Sequence, residues 1–159
     1  MHVASWRSAY AHILDPAWLA DEVEADRRAV WRARLDSPAP APDLHLLIAQ
    51  ADGAALGFVC AMGARDAHWG TLVDNLHVLP NAKGGGIGAM LLRAAARWSG
   101  LAFPDDGLHL FCYARNVAAR GFYERMGGRV VEESDRIAPD GRVAPEVRYY
   151  WDDVGALAR

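Results

Sequence analysis

The sequence predicts a single α/β domain in which a mixed, mostly antiparallel sheet is flanked by helices. Its 159 residues suit one domain (residues 1–159) and can bury most of their apolar surface without disulfides or metals. Helical patterns fill the first 35 residues, and short apolar runs separated by turn residues follow. Turn signals at Asp52-Gly53 and Pro139-Asp140-Gly141 favour antiparallel neighbours on either side of them.

Two helices are predicted near the N-terminus. The first runs from Ser5 to Ile13, and the second is an amphipathic helix from Trp18 to Leu35. Asp15 is a plausible N-cap for the second helix, because Pro16 then takes the first helical position. The Pro/Ala-rich residues 37–42 are predicted to form a stiff loop inside the domain.

Six strands are predicted from apolar runs that turn residues bound. They are Leu44–Ala49, Ala55–Met62, Thr71–Val78, Leu108–Tyr113, Arg129–Ile137 and Glu146–Trp151. One helix, from Ile87 to about Trp98, lies between the third strand and the fourth. This order mixes strands and helices as an α/β domain requires.

Composition excludes several classes of protein. A net charge of −3 gives no basic surface for nucleic acid and no polybasic stripe for a membrane. No apolar run is long enough to cross a bilayer and the N-terminus is no secretory signal, so we expect a cytoplasmic protein. Cys60 and Cys112 lie in apolar runs, which favours buried, reduced thiols. No Cys/His spacing indicates a metal site.

The segment from Val78 to Leu92 is the most informative one. An apolar run ends near Pro80, a glycine cluster follows, and a strongly helical run begins at Ile87. The first N–H groups of a helix have no internal partner and lie at the positive end of its dipole. Glycines let a phosphate approach them closely. The segment therefore predicts a binding site for a phosphorylated cofactor.

Three interpretations of this loop compete on spacing. The P-loop pattern is absent, because no Lys-Ser or Lys-Thr follows the glycines. Gly84, Gly86 and Ala89 fit the dinucleotide pattern G-x-G-x-x-A, although five residues separate the strand from the first glycine. The third interpretation is a coenzyme A loop, and the least specific alternative is a flexible loop that binds nothing.

Two motifs resemble those of the GNAT acetyltransferases. Residues 83–88, Lys-Gly-Gly-Gly-Ile-Gly, resemble the coenzyme A loop Arg/Gln-x-x-Gly-x-Gly/Ala, with lysine in the first position. A strand then leads into a segment that is similar to the second motif, Asn-x-x-Ala-x-x-Phe-Tyr-x-x-x-Gly. The matching residues are Asn116, Ala119, Phe122, Tyr123 and Gly127. The resemblance is strong from Leu72 to Val131 and implies an acetyltransferase that uses acetyl-CoA.

The resemblance assigns residues to cofactor binding. Backbone N–H groups of the loop would hold the pyrophosphate, and the main chain of the preceding strand would pair with the pantetheine arm. Asn116 would bind the cofactor or cap the helix that follows it. The residues so implied are Leu76, His77, Val78, Lys83, Gly84, Gly85, Gly86, Ile87, Gly88, Ala89, Asn116 and Tyr123.

The resemblance also implies a reaction, in which an amine attacks the thioester directly in a ternary complex. Tyr123 would be the general acid for the leaving thiolate, unless it is an ordinary core aromatic residue. The amine must lose a proton, since an alkylammonium has a pKa of roughly 10. His77 and Asp74 are the ionisable candidates for the general base on the strand before the loop. A second base position of the family is occupied by Phe111, which cannot serve.

The acceptor is open to several interpretations. A small primary amine, a protein N-terminus or a lysine would all suit the reaction, and the acidic balance of the chain favours a small cationic amine. The N-terminal aromatic residues would either face the acceptor or bury themselves between helices. They are Trp6, Tyr10, Trp18 and Trp31.

Two rival functions remain at the level of sequence. One is a non-catalytic module that binds or senses acyl-CoA, and the other is a nucleotide-dependent oxidoreductase. One departure from the family also matters, because its chains usually open with a strand and this one opens with a helical pattern. We therefore expect Leu44 to Ala49 to form a sheet edge that is uncovered or covered by a partner, such as a second copy in a homodimer.

Overall fold

The computed structural model describes residues 1–36 and 43–159, so the predicted Pro/Ala loop lies outside the described residues. Six helices and six strands are described. In chain order they are α1 (His2–Ala9), α2 (Pro16–Asp21), α3 (Val23–Leu35), β1 (Leu44–Ala51), β2 (Ala54–Asp66), β3 (Gly70–Val78), α4 (Ile87–Ala102), β4 (Leu108–Tyr113), α5 (Val117–Arg125), β5 (Arg129–Ile137), β6 (Val143–Trp151) and α6 (Val154–Leu157).

One sheet organises the fold, with the strand order β1-β2-β3-β4-β6-β5. Only β3 and β4 run parallel, and every other neighbouring pair is antiparallel. The predicted mixed, mostly antiparallel sheet is therefore confirmed. A dinucleotide-binding domain would need a mostly parallel sheet, so the dinucleotide interpretation of the glycine loop finds no support in the topology.

β1 lies at the edge of the sheet, as predicted, and pairs only with β2 among the described residues. Residues 2–9 form α1 and not a strand that would cover this edge. No described helix has both the length and the hydropathy to span a bilayer.

Helices pack on both faces of the sheet because alternate strand residues point to opposite sides. On β6, Val147 and Tyr149 belong to the larger core, where Leu92 and Ala95 of α4 also lie. Ala144 points to the other face, into a second core that α1, α2 and α3 build. The members of this second core are Trp6, Leu14, Trp18, Leu19, Val23, Ala138 and Ala144.

The structure corrects several predicted bounds. The single helix expected from Trp18 to Leu35 is two helices that meet at Glu22, where φ widens to −109° within the right-handed helical region. The break lets α2 and α3 both pack against α1. The sequence has no glycine or proline at this position that would predict the break. Asp15 caps α2 as predicted, accepting from the N–H groups of Ala17 and Trp18. The short helix α6 was not predicted.

A β-bulge at Asp74 bends β3. Cys60 faces Asn75 and Ala61 faces Val73, so Asp74 has no partner on β2. Bulges increase local twist and redirect the strand. The bulge also places two successive side chains on one face, where Arg34 of α3 donates to both of them, at 2.8 Å to Asn75 Oδ1 and 2.5 Å to Asp74 Oδ2.

β3 and β4 separate beside this bulge. They pair at only two positions, Thr71 with Leu108 and Leu72 with His109. Beyond these pairs β3 continues to Val78 and β4 to Tyr113, and none of the described strands fills the space between them. The strand ends therefore form the two arms of a cleft that opens toward the start of α4.

Three histidines are buried in the interior and held neutral. His2 accepts from Trp31 Nε1–H at 2.9 Å, and Arg148 donates to His109 Nδ1 at 2.9 Å. His77 Nδ1 lies 3.0 Å from Ser5 Oγ. Burial lowers the pKa of His2 to about 2, of His77 to about 3 and of His109 to about 4, and neighbouring positive charges add to the effect.

We expect the free energy of unfolding to fall steeply as the pH drops below about 6.5. Below that pH the histidines of the unfolded chain bind protons, whereas the three buried rings of the folded protein stay neutral until the pH is near or below 4. At pH 5 each of these rings therefore lowers the free energy of unfolding by about 2 kcal/mol. Urea unfolding at pH 7 and pH 5 measures this. The destabilisation caused by His109→Gln should shrink by about 2 kcal/mol between these pH values. An equal effect at both would contradict the assignment.

Candidate active site

A pocket of about 820 Å³ occupies the cleft between β3 and β4. The ends of both strands, the glycine loop, the starts of α4 and α5, and one face of α1 form its walls. It brings together almost all of the residues to which the sequence assigned cofactor binding. Those that line it are Leu76, His77, Val78, Lys83, Gly84, Gly86, Ile87, Gly88, Ala89, Asn116 and Tyr123, and Gly85 is outside the lining.

The loop requires glycine at two positions because of its backbone conformation, and not because neighbouring atoms leave no room for a side chain. Gly84 and Gly86 have φ of +85° and +80°, and no described atom lies within 4 Å of the place where either Cβ would be. Gly86 is the N-cap of α4, and no side chain of the described residues caps this end. The first N–H groups of α4 are thus left to a ligand in the pocket, and the helix dipole favours an anion there.

The charge of the pocket is entirely positive among the described lining residues. Lys83 of the loop, Arg115 before α5 and Arg125 at the end of α5 line it, and no aspartate or glutamate does. Cations from three separate elements suit a ligand with several phosphates. The sequence analysis did not assign Arg115 and Arg125 to the site. Arg115 directly precedes the second motif and Arg125 lies within it, and this position could have indicated their role.

The arm formed by β3 presents one side chain and a run of main chain. Leu76 and Val78 pack their side chains against the larger core, so the pocket meets mainly their backbone. His77 points to the other face, between the rings of His2 at 4.5 Å and Phe58 at 5.3 Å. Its low pKa keeps it neutral across the physiological range, so one ring nitrogen carries no proton and can accept a hydrogen bond.

Asp74 lies outside the lining of the pocket. Its carboxylate pairs with Arg34 at 2.5 Å as part of the bulge described above. The residue therefore anchors the strand, and its geometry gives no support to the predicted role as a base. Sequence could not separate this role from catalysis, because the pairing depends on how α3 crosses β3.

Tyr123 of α5 lines the pocket while its ring packs on Tyr149 and Trp151. Burial raises its pKa well above the usual value, and the neighbouring Cys112, Tyr10 and Tyr149 raise it further. The hydroxyl therefore keeps its proton at every physiological pH. Asn116 caps α5 by accepting from Ala119 N–H at 3.3 Å, and it also lines the pocket.

Cys112 lines the pocket as well, with a thiol that burial keeps protonated. Burial raises the pKa of its thiol to about 12, whereas a catalytic cysteine needs a lowered pKa. Both cysteines are buried and free, as predicted. No group of three metal-ligating side chains occurs within residues 1–36 and 43–159.

The remaining wall of the pocket comes from α1 and the turn after it. Ser5, Ser8 and Ala9 share one face of the helix, and Tyr10 and His12 follow. No motif marks these residues, so sequence alone could not assign them. Of the four aromatic residues considered for the acceptor, only Tyr10 is in the lining. Trp6 and Trp18 are core residues, and Trp31 packs against His2 and Phe58.

Comparison with known proteins identifies relatives of this chain. The family model for GNAT acetyltransferases matches residues 5–128. A probable N-acetyltransferase of Mycobacterium tuberculosis is 31% identical over 126 residues, which are 79% of this chain and 68% of that protein.

Solved structures are similar at lower identity. The PaiA N-acetyltransferase of Thermoplasma acidophilum, crystallised with coenzyme A, is 20% identical with a TM-score of 0.62, over 91% of this chain and 86% of that one. A Bacillus anthracis protein assigned as a streptothricin acetyltransferase, crystallised with acetyl coenzyme A, is 21% identical with a TM-score of 0.61. The match covers 70% of this chain and 63% of that protein. These structures agree with the fold, and the family match over residues 5–128 shows that the chain belongs to the GNAT acetyltransferase family.

Proposed function

We propose that this protein transfers the acetyl group of acetyl-CoA to a primary amine, which attacks the thioester directly in a ternary complex. The observation that carries the proposal is the pocket between β3 and β4, where a glycine cradle, three cations, Tyr123 and His77 line one cavity. Membership of an acetyltransferase family supports the reaction type. Two structural relatives were crystallised with acetyl coenzyme A or coenzyme A, which supports the cosubstrate.

The residues of the pocket fit coenzyme A. The N–H groups at the start of α4 suit the pyrophosphate, and Lys83, Arg115 and Arg125 supply positive charge for the phosphate groups. The open main chain of β3 offers hydrogen bonds to the amides of the pantetheine arm, as an added strand would. Acetyl-CoA supplies the activated acyl group, and the chain must orient it and move protons.

His77 is our candidate for the base, and its low pKa defines how it acts. A neutral imidazole with a pKa of about 3 cannot deprotonate a free alkylammonium efficiently. The amine nitrogen becomes much more acidic once it bonds to the carbonyl carbon, because its lone pair is then shared. His77 can take the proton at that stage, provided that Nδ1–H donates to Ser5 Oγ and Nε2 is the acceptor.

Tyr123 is our candidate for the acid. Its raised pKa keeps the hydroxyl protonated, so it can donate to the leaving thiolate without prior proton uptake. The raised pKa of the Cys112 thiol argues against an acetyl-cysteine intermediate, which supports direct attack by the amine.

The proposal is tested first by calorimetry with acetyl-CoA, using NADH as the control, and by thiol release in the presence of primary amines. Acetyl-CoA binding followed by thiol release supports the enzyme. Binding without release from any amine would favour the non-catalytic sensor instead. NADH binding in place of acetyl-CoA would favour an oxidoreductase.

Gly86→Trp should abolish acetyl-CoA binding, because the indole would block the approach of the pyrophosphate to the loop. Gly86→Ala is the matched control, since both variants carry the strain of a side chain at φ +80°, about 1 kcal/mol, while the open space around Gly86 accepts a methyl group. Calorimetry measures both affinities. Equal affinities for the two variants would remove the loop from the binding site.

Tyr123→Phe should lower kcat by about 10²-fold and leave the acetyl-CoA affinity unchanged, because it removes a proton donor and keeps the ring. Tyr149→Phe is the control. Tyr149 is also a buried tyrosine, but it lies outside the pocket lining and its hydroxyl bonds to Glu124 and Arg120. If both variants lose kcat equally, Tyr123 is a packing residue and not the acid.

His77→Ala should lower kcat by about 10²-fold at every pH from 6 to 9. The pKa of His77 lies far below this range, so the rate should still rise with pH as the amine loses its proton. Ser5→Ala should give a smaller loss, since it keeps the ring and removes only the partner of Nδ1. If the rising limb of the pH–rate profile shifts in His77→Ala, the low pKa of His77 is contradicted. If kcat is unchanged in this variant, His77 is not the general base.

A further inference from the structure

The part of the described pocket lining that α1 contributes, which we take as the acceptor side, carries no acidic side chain. Its walls are Ser5, Ser8 and Ala9 of α1, with Tyr10 after the helix and Phe111 of β4, and none of these side chains is acidic. The undescribed residues 37–42 comprise one serine, three prolines and two alanines, so they contain no ionisable side chain wherever they lie. Every charged residue of the described lining is a cation or a histidine.

Carboxylates on the same face of the sheet are already occupied by arginines. Asp74 pairs with Arg34 at 2.5 Å, and Glu146 pairs with Arg136 at 3.4 Å. Arg148 holds two more of them, Asp66 at 3.5 Å and Glu132 at 2.6 Å. None of these four acids lines the pocket. A positively charged acceptor would therefore find none of these four carboxylates in the described lining of the pocket, and each of the four already has an arginine partner.

The surfaces that do face the acceptor are aromatic and hydroxylic. The ring of Tyr10 packs edge-on against Tyr113 at 5.2 Å, and Phe111 stands on the neighbouring arm of the cleft. Arg148 already lies 4.3 Å from the centre of the Phe111 ring. Flat apolar surfaces with a few hydroxyl groups suit an apolar body that carries one amine.

We propose that the acceptor is a primary monoamine with an aromatic or aliphatic body and no second charge. This inference rests on the proposed function and names its substrate class. The amine that reacts loses its charge on acetylation, so the pocket need not neutralise it permanently. A second ammonium would stay charged and lose its hydration, with no acidic side chain in the described lining to compensate for it. The acidic balance of the whole chain is thus a misleading guide to this pocket.

The test compares acceptors that differ in one charge. Thiol release is followed with hexylamine, 1,6-diaminohexane and 2-phenylethylamine, and kcat/KM should be about 10²-fold higher for each monoamine than for the diamine. Preference for the diamine, or for an amine that carries a carboxylate, would overturn the inference and leave the proposed function standing. Acetyl-CoA binding without thiol release from any amine would instead overturn the proposed function.

A matched pair of variants at Ser8 locates the acceptor site. Ser8 is an exposed residue of the α1 wall, so both substitutions are compatible with folding. Ser8→Asp adds a carboxylate, and Ser8→Asn adds a side chain of the same shape without charge. The ratio of kcat/KM for diamine over monoamine should rise by about threefold in Ser8→Asp and stay unchanged in Ser8→Asn. The same ratio in both variants would show that α1 does not face the acceptor.

Binding gives a readout that does not depend on turnover. Calorimetry with 2-phenylethylamine on protein saturated with coenzyme A reports the dead-end ternary complex, in which no acetyl group can move. We expect binding of 2-phenylethylamine and none of 1,6-diaminohexane at the same concentration. Equal affinities of the two amines would overturn the inference, whatever their rates of acetylation.

Discussion

The divergence of β3 from β4 is the feature on which the rest of the site depends. Two parallel pairs join the strands, and the bulge at Asp74 then turns β3 away. Arg34 stabilises this arrangement by binding both side chains that the bulge places on one face. The divergence creates the cavity, leaves main chain of β3 open to a ligand, and directs the end of β3 into the glycine loop.

Burial then sets the protonation states around this cavity. His77, Cys112 and Tyr123 are all neutral at physiological pH, because removal from water disfavours the charged form of each. A neutral imidazole accepts protons and a neutral phenol donates them, whereas a neutral thiol does not attack an ester. The same desolvation supports the direct transfer that we propose, because it keeps the Cys112 thiol protonated.

The two proposed functions of the pocket, binding of the cofactor and binding of the acceptor, differ in the charged side chains that lie near them. The cations lie where phosphates would be held, and the acids on the acceptor face are paired with arginines in the structure. Net charge gives no indication of this layout, because the chain carries three more acids than bases overall while its described pocket lining has no carboxylate. The acceptor class that we propose therefore rests on local pairing and not on composition.

Sequence by itself determined the family, the mixed sheet and the position of the glycine loop between β3 and α4. These features follow from local requirements of the backbone, so each can be recognised in a short stretch of sequence. They are glycines at positive φ, apolar alternation in strands and an Asn cap on α5. Only the tertiary structure decided that Asp74 anchors a bulge, that α1 closes the pocket and that α2 breaks from α3. The first two outcomes depend on contacts between residues 40 or more positions apart, Arg34 with Asp74 and Ser5 with His77, and the third depends on packing between separate helices. No local pattern encodes such contacts.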